Sequence, residues 1–455
     1  MALGKRDRGQ QGELWVNAQD LPESPGHPFY RKLNDLLAEN GFDDFAEGIC
    51  AKFYHSRMGR PGIPPGVYFR MLLIGYFEGI DSERGIAWRC ADSLALREFL
   101  GYDLKKATPE HSSLSVIRKR IDVETHHEVF TWVLEVLKKS KLLKGKTIGI
   151  DATTLEANAA MRSIIRKETG ETYEEFLKGL AKATGIESPT REDLARMDRK
   201  RKKKTSNKDW HNPNDPDARI AKMKDGRTHL AHKAEHAVDL DTGAIVGVTL
   251  RGADKGDTAT VYDTTIEAIE NINKTGDDDE EGLREVVGDK GYHSNEICDV
   301  LGFAGIRSYL SEPKRGRRNW KGKTRERDAV YANRRRIKGN RGKALLRKRG
   351  ELVERPFAHC YDTGGMRRTH LRGHQNILKR LLVHVAGFNL GMLMRKMTGV
   401  GKPKALQGVL LADIWGHLHV ESTLQRIFRR KKVNFVKTWE SGNFPVTGSF
   451  ARLVA

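Results

Sequence analysis

The chain has 455 residues, which exceeds one ordinary domain and predicts two to four folded units. Hydrophobic residues make up 38% and charged residues 31%, and the formal net charge is +21. So large a positive excess predicts a polyanionic partner, with nucleic acid favoured over an anionic membrane. No apolar run reaches the roughly 18 residues that a membrane-spanning helix needs. The four cysteines show neither zinc-ligand spacing nor a disulfide pattern, so we expect a reducing cytoplasm and no membrane partner.

The first 140 residues are expected to form an all-α N-terminal domain. Apolar residues recur at helical spacing around 29–37 and 67–76, and further helices are predicted at 82–90, 93–100 and 112–142. Short helices joined by tight turns are compatible with a helix-turn-helix that binds DNA ends. A helical packing domain explains the same pattern nearly as well.

At residue 147 the pattern changes to short apolar strands. The segment 147–151 predicts a buried strand, and 232–240 and 244–250 predict a hairpin whose turn is Asp241–Gly243. Further elements are predicted as a helix at 258–273, a strand at 286–289, a helix at 295–301 and a strand at 306–310. A charged insertion at about 155–228 interrupts the series. This order predicts an α/β fold, a mixed sheet flanked by helices, over residues 141–400.

The positive charge is concentrated near the end of this unit. Lys314 to Arg349 contains 17 lysines and arginines and two acids, and we interpret about 313–350 as a basic loop. A long helix is predicted at 376–397, and residues 401–455 form a basic tail.

Two aspartates follow predicted strands. Asp151 and Asp289 each end a short apolar run, so neighbouring strands would bring both carboxylates to one sheet edge. Carboxylates held together repel one another, and a divalent cation removes that penalty. Two such ions could clamp the attacking and leaving oxygens of a phosphodiester. The competing interpretation is that each aspartate merely caps a turn.

A third acid is available in Glu351 or Glu354, three positions apart on one helix face. Val353 and Phe357 flank Glu354 and could fix its direction. Pro356 predicts that the helix either begins near Val353 or kinks there. Spacing alone does not decide between the two glutamates.

Three segments resemble the signature regions of bacterial insertion-sequence DDE transposases. They are Gly149-Ile150-Asp151-Ala152-Thr153, Gly288-Asp289-Lys290-Gly291-Tyr292 and Val353-Glu354-Arg355-Pro356-Phe357. The stretch Pro109 to Leu114 and the hairpin at 236–243 also resemble that family, so the similarity spans roughly residues 27 to 398. The resemblance implies an RNase H-like catalytic core.

The resemblance also implies roles for individual residues. Asp151, Asp289 and Glu354 would hold Mg²⁺, with Mn²⁺ as a substitute, as two ions. Lys290 and Tyr292 would lie near the cleaved strand and Arg355 near a phosphate. The family's arginine four positions before the glutamate is replaced here by Gly350, so Arg349 or Arg347 would take its place.

The basic segment supplies further candidate DNA contacts, namely Lys314, Arg317 and Trp320. Such cations hold phosphates without reading sequence, and Trp320 could stack on an unpaired base or anchor the segment to the core. The expected partner is double-stranded DNA, both the terminal inverted repeats and the target. A homodimer is expected because two ends must be held together, and the setting would be the bacterial nucleoid.

Three other functions compete with a transposase. One is a nuclease with the same core and no strand transfer, and another is a non-catalytic DNA-binding derivative. The third, a ribosomal or RNA-binding protein, would explain the charge without explaining the three acids.

Overall fold

A computed structural model describes residues 28–55, 59, 62–201, 205–223, 226–276, 282–314, 316 and 318–405. The predicted basic tail lies outside the described residues from position 406 onward, and so does Arg317.

Every helix or strand described before residue 140 is a helix, which confirms the predicted helical N-terminal region. The predicted helix at 112–142 is divided in two because the Asp122 carboxylate accepts a hydrogen bond from Thr125 N and starts a new helix. A helix at Phe42–Cys50 was not predicted. The bounds are α1 Pro28–Glu39, α2 Phe42–Cys50, α3 Pro65–Glu78, α4 Glu83–Asp92, α5 Leu94–Phe99, α6 His111–Arg120 and α7 Val123–Lys139.

The remainder is built on a six-stranded mixed sheet, as predicted. Its strands are β1 Thr147–Glu156, β4 Arg219–Lys222, β5 Thr228–Asp239, β6 Ile245–Gly252, β7 Glu285–Gly288 and β8 Arg307–Leu310, and β2 Ile165–Arg166 pairs separately with β3 Trp210–His211. The order is β4-β5-β1-β7-β8, and β6 also pairs with β5. β1 is antiparallel to β5 and parallel to β7, so β1 lies at the centre.

Helices cover both faces of this sheet. The later helices are α10 Asp257–Thr275, α11 Asn295–Phe303, α12 Thr324–Lys338, α13 Asn340–Phe357 and α14 His374–Thr398. α10 lies against the face on which Glu235 of β5 accepts a hydrogen bond from Thr264. α13 lies against the opposite face, where Val353 packs directly over Gly149 of β1.

The insertion folds into its own small core. It contains α8 Tyr173–Ala183 and α9 Arg191–Lys200. Buried Ile164 and Trp210 pack with Leu230 of β5 against α8, and Leu194 of α9 packs on other residues of α8. Two aspartates join it to the start of α14: Asp215 accepts from Gly373 N at 3.2 Å and Asp217 from His374 N at 2.9 Å.

The predicted basic loop at 313–350 is wrong, because most of it is helix, in α12 and the first half of α13. Arginines on these helices form ion pairs with acids of the core. Arg334 binds Glu312 at 2.8 Å, and Arg341 binds Glu285 of β7. The dense positive charge suggested a solvated loop. In the fold, several of these basic side chains instead form ion pairs with acids distant in the sequence, which allows the segment to be helical.

α14 is the central helix of this unit. The segment His374–Ala405 is long and apolar enough to cross a membrane, but 83% of its most apolar window is buried inside the protein. It is therefore a core helix. Everything described up to Gly401 belongs to one compact unit. The predicted boundary near residue 140 falls between α7 and β1 and stays a prediction.

The close approach of α13 to β1 generates a stability prediction. A Cβ at Gly149 would lie 2.7 Å from Leu240 Cδ2 and 2.9 Å from Val353 Cγ2. We expect Gly149→Ala to lower the free energy of unfolding by about 1–3 kcal/mol, through overpacking. The matched control is Gly350→Ala, where a Cβ meets nothing within 4 Å. It should raise stability by about 0.5–1 kcal/mol, because alanine favours the helix. Urea unfolding measures both, and equal effects would contradict the packing argument.

Candidate active site

Asp151 lies within β1, not at its end as predicted. β1 continues to Glu156 while paired with β5, but its pairing with β7 is limited to Thr147–Gly149 against Glu285–Val287. Because β7 ends at Gly288, the position in register with Asp151 is Asp289. The structure thus brings these two predicted site residues side by side.

Asp289 begins a tight turn immediately after β7. Its carboxylate accepts a hydrogen bond from Gly291 N at 2.7 Å and so caps the short 3₁₀ helix Lys290–Tyr292. Gly291 also lies against the carboxylate of Asp257, and a Cβ there would collide with it. The glycine allows carboxylates from two separate elements to approach the same point.

The surroundings of Asp151 combine one cation with two other acids. Asp151 Oδ2 lies 2.8 Å from Arg349 Nη2 of α13, and Oδ1 accepts from Ala152 N at 2.9 Å. Burial raises the pKa of Asp151, Arg349 and the Ala152 amide lower it, and Asp289 and Asp257 raise it further. The net shift is upward, so Arg349 does not fully balance the charge. A cation placed among these carboxylates would relieve the repulsion.

Sequence reasoning did not find Asp257. It is the first residue of α10, and its carboxylate accepts a hydrogen bond from Lys233 Nζ at 2.7 Å. Lys233 is buried on β5 and also donates to Thr260 Oγ1 at 2.9 Å. The only sequence signal was an acid at a helix start, which ordinarily indicates helix capping.

A second layer of polar groups lies beneath the three aspartates. Glu235 is buried on β5 and accepts hydrogen bonds from Thr260, Thr264 and Tyr292, while burial raises its pKa overall. Tyr292 is 1% exposed, and its hydroxyl lies 2.9 Å from Glu235. Tyr292 was predicted to lie near the DNA, but here it is enclosed by protein because its ring completes this buried network.

Glu354 belongs to α13, which lies over the face of the sheet that carries Gly149 and Asp151. Its neighbour Val353 packs on Gly149, and Phe357 stacks near His236, with ring centroids 4.8 Å apart. His236 pairs with Asp151 across β5 and β1, so α13 crosses directly over the aspartate. Glu354 itself is exposed. The helix does not begin near Val353, because α13 runs from Asn340 to Phe357 with Pro356 inside it, and a π-helical turn, Ala358–Asp362, follows.

The other predicted DNA contacts are distributed unevenly. Lys290 and Lys314 are exposed, and Arg355 is exposed in an ion pair with Glu351. Trp320 is half-buried against Tyr331, with ring centroids 6.0 Å apart, as in the interpretation of it as a packing anchor.

Two family models match this chain. One, described as a transposase domain (DUF772), covers residues 17–120, and the other, described as a transposase DDE domain, covers residues 183–390. Together they span about two thirds of the sequence. No curated protein matches the chain. The chain belongs to the insertion-sequence DDE transposases.

The DDE match includes Asp289 and Glu354 but begins after Asp151. Enzymes of this family generally use divalent metal ions. Within the described residues, no three His, Cys, Asp or Glu side chains are close enough together to hold a metal. Asp151 and Asp289 nevertheless fit a hard cation, since both offer carboxylate oxygens, lie in register on neighbouring strands, and Asp289 helps to raise the pKa of Asp151.

His236 lies on the sheet beside Asp151 and generates a pH prediction. Its ring is fully buried with Nε2 2.6 Å from Tyr361 Oη, and burial lowers its pKa from 6.5 to about 3. As pH falls below 6.5, His236 becomes protonated in the unfolded chain, whereas in the folded chain it stays neutral until about pH 3. Stability conferred by neutral His236 is therefore complete above pH 6.5 and declines below it, by about 1.4 kcal/mol per pH unit.

Replacing His236 by Gln keeps a polar group near Tyr361. It should remove the contribution of His236 to the loss of folding stability below pH 6.5. Denaturant unfolding of both proteins between pH 7 and about 4.5 measures the difference in slope. His126, whose pKa burial also lowers to about 3, gives a second variant, His126→Gln, with the same expected change. Parallel pH curves for wild type and His236→Gln would rule out the neutral buried ring.

Proposed function

We propose that this transposase cuts DNA at the ends of its insertion sequence and joins the freed 3′-OH to target DNA. Asp151, Asp289 and Glu354 would hold two Mg²⁺ ions, for which Mn²⁺ can substitute. The observation that carries the proposal is the register of β1 and β7, which aligns Asp151 with Asp289 beneath the helix that bears Glu354.

The reaction would consist of two in-line displacements at phosphorus. In the first, water attacks a phosphodiester, the P–O3′ bond breaks, and the strand leaves with a free 3′-OH. In the second, that 3′-OH attacks a target phosphodiester, and a new P–O bond replaces the one that breaks. The bound metal ions would activate the attacking oxygen and stabilise the leaving one.

The protein's own side chains would position these partners. Arg349 orients Asp151 from above, and the Lys233–Asp257 pair holds the turn that carries Asp289. Lys290, exposed next to Asp289, could neutralise a phosphate of the strand being cut. Positioning and charge neutralisation would supply most of the rate enhancement, without a covalent enzyme intermediate.

Double-stranded DNA is the proposed partner in two forms, the terminal repeats and the target. The helical region up to about residue 140 would hold the ends, and two chains would act as a dimer because two ends must be brought together. The reaction would take place in the bacterial cytoplasm.

Replacement of Asp289 by Asn should lower the rate of Mn²⁺- and Mg²⁺-dependent cleavage of DNA carrying the element's ends by about a thousandfold or more. Affinity for the same DNA without metal should be unchanged. The control is Asp263→Asn on α10, an exposed acid paired with Arg251 at 2.7 Å, which should cleave normally. Incubating a precut end with a supercoiled plasmid then separates transposase from nuclease, because a nuclease yields no joined product. Normal cleavage by Asp289→Asn would reject the site.

The third acid is tested by comparing two glutamates on one helix. Glu354→Gln should lose cleavage as Asp289→Asn does, since a neutral amide holds a metal ion poorly. Glu351→Gln removes only an exposed ion pair with Arg355, which is worth at most about 1 kcal/mol, and should cleave normally. Loss of cleavage in Glu351→Gln with normal cleavage in Glu354→Gln would exchange the two roles.

A further inference from the structure

A cleft of about 650 Å³ separates the N-terminal helices from the strand that carries Asp151. One wall is formed by the beginnings of α4 and α6, and the other by Asn158, just past the end of β1, and the segment 365–371. The cleft lies apart from the three predicted metal ligands, none of which lines it.

A buried arginine forms part of this cleft. Arg380 of α14 is 5% exposed, and its Nη2 donates a hydrogen bond to Ile80 O at 3.0 Å. Its Nε has no hydrogen-bond partner among the described residues. Burial lowers the pKa of this guanidinium only to about 10, so it is charged at neutral pH. Glu83 and Asp81 act electrostatically on this guanidinium, but its buried Nε still has no hydrogen-bond acceptor among the described residues, and a ligand oxygen could fill that role.

Two helix N-termini also face the cleft. Ser82 caps α4, whereas no side chain caps α6 at its first residue, His111. The first amides of a helix lack intrahelical acceptors and carry a partial positive charge, so they attract anions. Each helix has 10 residues, long enough for this effect.

The acids of the cleft are already paired within the protein. Glu83 lies 2.7 Å from Arg118, and Asp81 lies 3.0 Å from His370. Arg84 and Arg368 remain exposed at the rim, the latter 3.8 Å from Glu156. The cleft therefore combines two acids, of which Glu83 is paired with an arginine, with the three arginines Arg84, Arg368 and Arg380, and this balance suits a ligand carrying negative charge.

We propose that this cleft binds a backbone phosphate of the DNA strand that passes the active site, with Arg380 at its base and Arg84 and Arg368 at its rim. Seven residues separate Asp151 from Asn158, a span of at most about 23 Å in an extended strand. That distance corresponds to about seven nucleotide steps of B-DNA at about 3.4 Å each. The inference rests on the proposed function, since it assumes that DNA reaches Asp151.

The first test measures binding of the full chain to a short fluorescent DNA duplex, without divalent metal, across a range of salt concentrations. Loss of one phosphate contact should reduce the log–log salt slope by about 0.9. We expect that reduction in Arg84→Ala and in Arg368→Ala. The matched control is Arg251→Ala, an exposed arginine on β6 that pairs with Asp263 and should keep the wild-type slope.

The second test addresses the base of the cleft. Arg380→Met removes the buried charge, and Arg380→Lys retains a charge there. We expect Arg380→Met to bind the duplex about tenfold more weakly, a loss typical of a charged hydrogen bond, and Arg380→Lys to recover part of it. Circular dichroism and thermal unfolding identify a variant that fails to fold, in which case the rim variants decide.

The outcomes separate this inference from the active-site assignment. If Arg84→Ala and Arg368→Ala both bind DNA with the wild-type salt slope while Asp289→Asn is inactive in cleavage, the cleft proposal alone is overturned. Reduced slopes beside a fully active Asp289→Asn would overturn the catalytic assignment alone. Thermal stabilisation of the wild type by a free mononucleotide, with unchanged DNA slopes in the variants, would show a small-molecule site and overturn the assignment to DNA.

Discussion

The parallel pairing of β1 with β7 is the constraint on which the candidate site depends. It lasts only from Thr147 to Gly149 on β1, yet it fixes the register that places Asp151 beside Asp289. Gly149 then allows α13 to lie close over the same strand, because any larger residue would meet Leu240 and Val353. One short stretch of backbone thus aligns two acids and allows α13 to lie over the same strand.

Charge at this site is distributed in layers. Asp151 pairs with Arg349, Asp257 pairs with Lys233, and the buried Glu235 accepts hydrogen bonds from hydroxyl groups and lies 3.6 Å from Lys233 Nζ. The pKa of Asp151 is nevertheless raised, because burial and neighbouring carboxylates outweigh its arginine. A divalent cation placed near Asp151 would relieve part of this unfavourable charge.

The net charge of +21 indicates a polyanionic partner, but it does not indicate which surface of the protein would bind that partner. In α12 and α13, several arginines bind acids of the fold, as Arg334 does with Glu312 and Arg341 with the buried Glu285. Arg380, whose Nε has no hydrogen-bond partner among the described residues, lies elsewhere, in the cleft beside the N-terminal helices. The densest cluster of basic residues in a sequence is therefore not by itself the DNA-binding surface, because ion pairing within the fold decides which charges remain available.

The sequence by itself determined the local features: the N-terminal helices, the hairpin at Asp241–Gly243, the strand before Asp289, and the resemblance that family models then confirmed. These follow from periodicity and turn chemistry, which act between near neighbours. Tertiary structure alone decided that β1 extends past Asp151, that residues 324–338 are helical, that Tyr292 is buried and that Asp257 joins the site. Each of these depends on partners distant in the chain, such as Glu312 for Arg334, Glu235 for Tyr292 and Lys233 for Asp257. Contacts between residues distant in the chain produce no periodic pattern in the sequence, so they could not be predicted from it.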